Sequence, residues 1–496
     1  MSRWARHPAA WIGLGVALTL ALRAPWIHAA LGRDEGGVAM IARAWHHSSP
    51  FPYGSYFLDR PPVLVLLYKL AGTPLGIRIL GALAGAALVA LCVLLAVRVG
   101  GRRAAPFAAV IAALMASSYA LNSIFSPSEL LAAVPSAACA LLALTALERP
   151  SGGRRLLAAS GACGMLALLV KQSFADALFA GLVGIAAAAI VTKMPRRDAL
   201  LRAAAYLGGA AVPALAVVAW AQITQPPAGS IYYAMFGFRI DAASALVNND
   251  IGSHLGHLVA PSLRSGLVLW LALAVAGMAS LRERPVVRAV LFAWLLAGLA
   301  GVLAGGSYWA HYLIMLVPVT VAGAATMLSS RPRAGIVATA VIALPVLFIA
   351  VQSARSSQPE IFQRDGVLVG RYLRERAQPH QTAYVMYAKV NALYYSGLPS
   401  PFPYHWSLMM RAAPHAQDTL RALLASSRRP TWLVQWQHHR AFNQDRDGKT
   451  KLLIEAHYRR VATVCGRPVL LANGATAKPP PRPISCKGAK AGDLPF

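Results

Sequence analysis

The stretch that decides the fold is residues 76–97, GIRILGALAGAALVALCVLLAV, closed on its far side by Arg98, Arg102 and Arg103. It is apolar but for Arg78 and has the length of about 20 residues that a helix needs to cross a bilayer core. Runs of the same kind recur on both sides of it, near 11–31, 104–121, 128–147, 156–171, 174–192, 203–222, 263–281, 286–304, 308–328 and 334–352, so eleven membrane spans are predicted. The first follows Arg3 and Arg6 and imitates a secretory signal. No small-residue cleavage site follows it, and Pro25, Trp26 and the polar stretch at Arg33 argue that it is retained as a span.

Composition agrees. Of 496 residues 57% are hydrophobic and only 13% charged, which excludes an ordinary soluble protein. The 47 Lys and Arg outnumber the 18 Asp and Glu, a net charge of +29 that would suggest nucleic acid in a soluble domain. In a membrane protein a basic excess first reports topology, and no nucleic-acid partner is expected. With a cytoplasmic N-terminus, the inside loops carry Arg98, Arg102 and Arg103, then Arg149, Arg154 and Arg155, then Lys193, Arg196, Arg197 and Arg202, then Arg282, Arg284 and Arg288, then Arg331 and Arg333. The alternate loops, such as 117–127 and 305–310, carry no Lys or Arg. An odd number of spans then places the C-terminus outside.

Three outside segments are too long to be turns: 32–73, 224–262 and everything after Arg355. Residues 1–354 read as the multispanning domain, 355–475 as a small extracytoplasmic α/β domain, and 476–496 as a loosely ordered tail. Within the second, Thr382–Tyr387, Thr431–Trp436 and Arg459–Val464 read as strands, and Glu360–Arg376 and Pro414–Ser427 as helices. Residues 355–496 hold 21 Lys and Arg against 8 Asp and Glu, which suggests an anionic neighbour such as lipid headgroups. Cys465 and Cys486 are the only cysteines there, and an outside compartment permits a disulfide between them. No CxxC or HExxH spacing offers a metal site, and the pairs His46-His47, His438-His439 and His254/His257 read as surface histidines.

Chemistry is expected where ionisable residues meet the outer membrane surface. The first outer loop begins Arg33-Asp34-Glu35-Gly36-Gly37 and runs through Ala42-Arg43-Ala44-Trp45 to Asp59-Arg60-Pro61-Pro62. An acidic pair just after the first span, a helix, and then an Asp-Arg/Lys-Pro-Pro element resemble the lipid-linked-sugar glycosyltransferases of family 39, the protein O-mannosyltransferase and aminoarabinose transferase type. Further along, Glu129 in Ser-Pro-Ser-Glu-Leu, Val170-Lys171-Gln172, Trp309-Ala310-His311-Tyr312 and Tyr384–Pro403 resemble elements of that family in the same order. The resemblance implies an α-helical GT-C membrane fold with a C-terminal α/β domain. The chain departs from the family where Gly36, Gly37 and Val38 replace a bulky residue and a tyrosine, which bears on the acceptor pocket, and where Arg60 replaces the usual lysine.

What the resemblance implies for function is transfer of a sugar from a polyprenyl phosphate to an acceptor hydroxyl on a lipid, glycan or protein, outside the bacterial-type cytoplasmic membrane. Polyprenyl phosphate is a good leaving group, so one general base suffices. Asp34 is that base in this reading, with Glu35 and Glu129 near the acceptor, and Lys171, His311, Tyr312, Arg60 and Arg23 holding the donor phosphate. The sequence names no cofactor; the resemblance includes members proposed to work without metal, and a divalent ion at Asp34 and Glu129 is the lesser alternative. The residues also have plainer roles open to them: helix caps for Asp34, Glu35 and Glu129, snorkelling for Lys171 and Arg23, packing for His311. Two other functions remain open, a flippase for a lipid-linked saccharide and a glycan polymerase or ligase. The sequence lacks the repeated halves usual in a transporter.

Overall fold

The computed structural model describes residues 7–45, 53–149, 153–247, 251–304, 306–356, 358–479, 484 and 486. Its helices begin with α1 (Pro8–Arg23), α2 (Arg33–Ala44), α3 (Pro62–Ala71), α4 (Pro74–Gly100), α5 (Ala105–Ala116), α6 (Ser128–Leu147), α7 (Arg154–Val170), α8 (Asp176–Val191) and α9 (Arg196–Thr224). Leu267–Ser280, Pro285–Ala304, a 3₁₀ turn running into a helix over Ala310–Ser330, and Pro332–Arg355 follow. A helix therefore stands at each of the predicted spans. Among the described residues seven are long and apolar enough to cross a membrane unaided, or eight if one bent pair counts as a single span. The chain is a multi-pass membrane protein.

The helix that opened the argument shows why these segments form. Thr73 caps α4 by accepting the Gly76 N–H at 3.0 Å, Pro74 occupies the first position where its missing donor costs nothing, and Gly101, at φ 79°, ends it. Its 27 residues reach roughly 40 Å at 1.5 Å each, more than a bilayer core. Small residues let helices close. A Cβ at Gly161 of α7 would lie 1.9 Å from the Tyr206 carbonyl of α9, so the two backbones touch there. The Ala310–Ser330 span is 89% buried at the centre of the bundle, whereas α9 is 17% buried and turns its apolar side chains outward, as a lipid-facing helix does.

Some boundaries differ from expectation. The first span stops at Arg23, with a 3₁₀ turn to Trp26. The fifth helix ends at Ala116, because the chain then folds into a serine-rich turn closed by Ser123 Oγ, which donates to the Met115 carbonyl at 2.5 Å. The predicted span 263–281 is broken: Gly256–Arg264 and Leu267–Ser280 meet at 80° across Gly266, whose φ of +71° suits glycine.

The C-terminal domain has a four-stranded sheet in the order β1-β2-β4-β3, from Ala383–Val385, Trp432–Val434, Tyr458–Val464 and Arg467–Ala472. β1 and β2 are parallel, with Ala383 opposite Trp432; the other pairings are antiparallel, with Trp432 opposite Leu471 and Tyr458 opposite Ala472. The last strand was not read from the sequence. It pairs with β3 through a turn at Cys465 and Gly466, both at positive φ, and the structure bonds Cys465 to Cys486. Helices Arg364–Arg376 and Ala416–Ala425 are shorter than their predicted segments. Most of the predicted tail lies outside the described residues, as does His46-His47.

The domain is locked to the first long loop. Tyr395 Oη accepts the Leu31 N–H at 2.8 Å, Asn391 Nδ2 donates to the Leu31 carbonyl at 3.2 Å, and the Phe57 N–H reaches the Pro403 carbonyl at 3.1 Å. Behind these contacts Lys389 Nζ, fully buried, sits 3.1 Å from an Asp365 carboxylate oxygen.

Candidate active site

The acidic pair at the start of α2 is split by the helix into two environments. Glu35, in the third helical position, folds back to accept the Gly32 N–H at 2.7 Å. Its carboxylate also takes the Ser126 N–H at 2.8 Å and both terminal nitrogens of Arg78 from α4, one of them at 2.9 Å. Arg78 in turn donates to the Ala29 and Ala30 carbonyls at 3.2 and 2.5 Å. Glu35, expected near the acceptor, is thus a buried strut whose oxygens are occupied by its own chain. Asp34, one residue earlier, is exposed and accepts a hydrogen bond of 2.9 Å from Trp406 Nε1.

Arg23 needs a similar correction. Its guanidinium donates to the carbonyls of Ala116, Ser123 and Phe125 at 2.9, 2.6 and 2.6 Å, pinning the turn after α5 to the end of α1. These donors are spent on backbone and not on a phosphate.

The remaining predicted residues do come together. Pro127 starts α6 with Glu129 in its first turn, buried, and Lys171 follows the last residue of α7. Lys171 Nζ lies 2.7 Å from Glu129 Oε1, and His311 Nε2 lies 3.8 Å from the same oxygen. Tyr312 places its ring 5.2 Å from Lys171 Nζ and 5.1 Å, edge on, from the His311 ring. Glu129, expected near the acceptor, instead pairs with Lys171 and lies beside His311. Arg60 bonds Asp59 at 2.6 Å, and the carbonyl of Asp59 takes the Gln172 side chain at 2.8 Å. Asp34 lies within electrostatic range of Arg60 and His311.

Sequence reasoning missed Arg239. It comes from the helix Phe238–Val247, inside the long segment 224–262, and reaches Asp59 Oδ2 at 2.6 Å. Only its placement opposite Asp59 marks it, since an arginine in a long loop carries no signal. Burial alone would push the Asp59 carboxyl up, but Arg60, Arg239 and Lys171 hold it below its ordinary value. Burial would likewise lower Arg60, yet Asp59 and then Tyr312, Asp34 and Glu129 keep its guanidinium firmly charged. Arg60, Arg239 and Lys171 therefore face two carboxylates, with His311 beside them. Among the described residues no three His, Cys, Asp or Glu side chains converge as metal ligands. Glu129 is already committed to Lys171, so a divalent ion shared with Asp34 does not fit this donor set. His439, expected at the surface, is instead buried in the C-terminal domain with its ring nitrogen 2.7 Å from the Asp445 carboxylate.

No family model and no curated protein sequence matches the chain. Its structure does have neighbours. The crystal structure of ArnT from Cupriavidus metallidurans in the apo state aligns with a TM-score of 0.64 at 16% identity, covering 93% of this chain and 98% of that one. The chain has the GT-C fold. The same ArnT bound to undecaprenyl phosphate aligns over 95% of this chain and 99% of that one, again at 0.64 and 16% identity. The Archaeoglobus fulgidus oligosaccharyltransferase, in its apo form, aligns at 0.55 and 14% identity over 86% of this chain and 69% of that one. Those neighbours share with this GT-C chain a helical membrane bundle of the same architecture.

Proposed function

We propose that the chain is a membrane glycosyltransferase that moves a sugar from a polyprenyl phosphate to an acceptor hydroxyl, with inversion and without a metal. The observation that carries this reading is an exposed carboxylate, Asp34, in electrostatic range of a largely buried basic group, Arg60, Lys171 and Arg239 with His311 beside them. The GT-C fold, and the undecaprenyl phosphate bound by the ArnT neighbour, support the class of donor.

Asp34 takes the proton of the acceptor hydroxyl as that oxygen attacks the anomeric carbon. The carbon–oxygen bond to the phosphate breaks on the opposite face, and polyprenyl phosphate leaves with the bonding pair. Its growing charge is met by cations already fixed in a water-poor setting, where they need no reorganisation. Asp59 and Glu129 orient those cations and prevent their mutual repulsion. The alternation of basic and uncharged loops supports an active site facing outward from a bacterial-type cytoplasmic membrane.

The test is release of free polyprenyl phosphate by full-length protein in proteoliposomes. Asp34→Asn keeps the shape and removes the base, so turnover falls by at least roughly a hundredfold while donor binding survives. Near-normal turnover in a folded, inserted Asp34→Asn protein sinks the assignment. For orientation, Ser427→Cys in the C-terminal domain reacts with an impermeant thiol reagent in spheroplasts and Ser330→Cys does not; the reverse pattern would move the site to the other side.

A further inference from the structure

Gly36 and Gly37 lie in the early turns of α2, and the structure shows what fills the space beside them. A Cβ at Gly36 would lie 2.5 Å from Asn391 Cβ, and one at Gly37 would lie 2.2 Å from Trp406 Cζ2 and 2.6 Å from its Cη2. Both neighbours belong to the C-terminal domain. Gly37 is three residues beyond Asp34 on α2, so the two share a helix face. The indole that enters the Gly37 notch therefore reaches the carboxylate, and its Nε1–H donates to Asp34 Oδ1 at 2.9 Å.

The segment that presents Trp406 is firmly held. Ser400 N–H donates to Tyr56 Oη at 3.1 Å, His405 is wholly buried with its ring 5.3 Å from that of Tyr56, and Trp406 precedes the short helix Ser407–Ala412. From that helix Arg411 donates to the Ala245 carbonyl at 3.1 Å, in the same helix that delivers Arg239 to Asp59. One stretch of the domain thus touches the candidate base, the first outer loop and the helix that completes the cation group.

We propose that Trp406 is a positioning residue for Asp34, supplied by the C-terminal domain, and that position 37 is glycine so that the indole can reach it. The inference rests on Asp34 being the base. A charge-assisted hydrogen bond to Oδ1 fixes the carboxylate's orientation and leaves Oδ2 to receive the acceptor proton. The domain is then part of the catalytic apparatus.

The test uses full-length protein in proteoliposomes and follows kcat and donor KM separately. Trp406→Phe keeps the ring in the notch and drops the donor; kcat falls about tenfold to a hundredfold, with donor KM and the unfolding temperature unchanged. Trp406→His, whose ring N–H can donate, recovers part of that loss. Gly37→Ala, which displaces the indole, lowers kcat to a similar degree, yet adds nothing in a Trp406→Ala background, where its Cβ no longer meets a ring. Normal kcat in Trp406→Phe, or independent and multiplying losses in the Gly37/Trp406 double variant, overturns the proposal. So does a loss of turnover that only accompanies a lowered unfolding temperature, since that describes packing. Asp34→Asn is run alongside: if it turns over normally, the base assignment itself fails, whereas a dead Asp34→Asn beside a normal Trp406→Phe removes only the role of Trp406.

Discussion

Two buried charge groups lie at the same end of the bundle and do opposite things. In the first, Glu35, Arg78 and Arg23 direct their polar atoms to each other and to backbone groups at 29–32, 116 and 123–126. In the second, Asp59, Arg60, Arg239, Glu129, Lys171 and His311 pair mainly among themselves, and positive charge predominates. A group saturated by its own backbone holds turns in place and has nothing to offer a ligand. A group of ions with cation in excess is costly to bury and stays ready for an anion. Burial and charge alone do not distinguish the two; the identity of the partners does.

The largest effect that sharpens this contrast is on stability. Arg78→Met leaves the Glu35 carboxylate buried without its counter-ion and costs about 3–5 kcal/mol, read as a lowered denaturation midpoint in detergent. A stable but inactive Arg78→Met protein would merge the two groups. Next, Lys171→Ala removes one prearranged cation from the second group. Turnover drops by roughly a hundredfold to a thousandfold, and donor binding measured with polyprenyl phosphate weakens too, because a phosphate contact acts on ground and transition states alike. Loss of folding without loss of donor affinity would make Lys171 structural.

Smaller effects lie in the C-terminal domain, away from both groups. Opening the Cys465–Cys486 bridge, whose partners are 21 residues apart, costs about 3 kcal/mol, seen by comparing unfolding of the wild type with Cys465→Ser. A non-reducing peptide map that finds both thiols free in protein taken straight from the membrane rejects the bond. Smallest at neutral pH, because it appears only on acidification, is a pH dependence. Burial pushes His405 down to about 3, against an ordinary imidazole value near 6.5. The folded state thus resists protonation that the unfolded chain accepts. Stability is full above about pH 6.5 and falls as pH drops toward 3, by about 1.4 kcal/mol per unit. His405→Phe flattens that slope; an unchanged slope assigns the acid sensitivity to other groups.

Sequence alone determined the membrane class, a helix at each predicted apolar segment and the sidedness expected of the loops. These follow from local quantities, run length and charge, which a bilayer reads one segment at a time. It also brought Asp34, Arg60, Glu129, Lys171, His311 and Tyr312 forward as candidates, because each lies beside a span boundary or in the first loop. Tertiary structure alone decided how those residues divide. Asp34 and Glu35 are adjacent in sequence, and only the turn of α2 sends one to Arg78 and the other to Trp406. Arg23 resembles a membrane-boundary cation until three carbonyls about a hundred residues away take up its donors. Arg239 and Trp406 stand 180 and 372 residues from the carboxylates they bind. A hydrogen bond acts across a few ångströms of space whatever the chain length between its partners, so no local pattern could announce either contact.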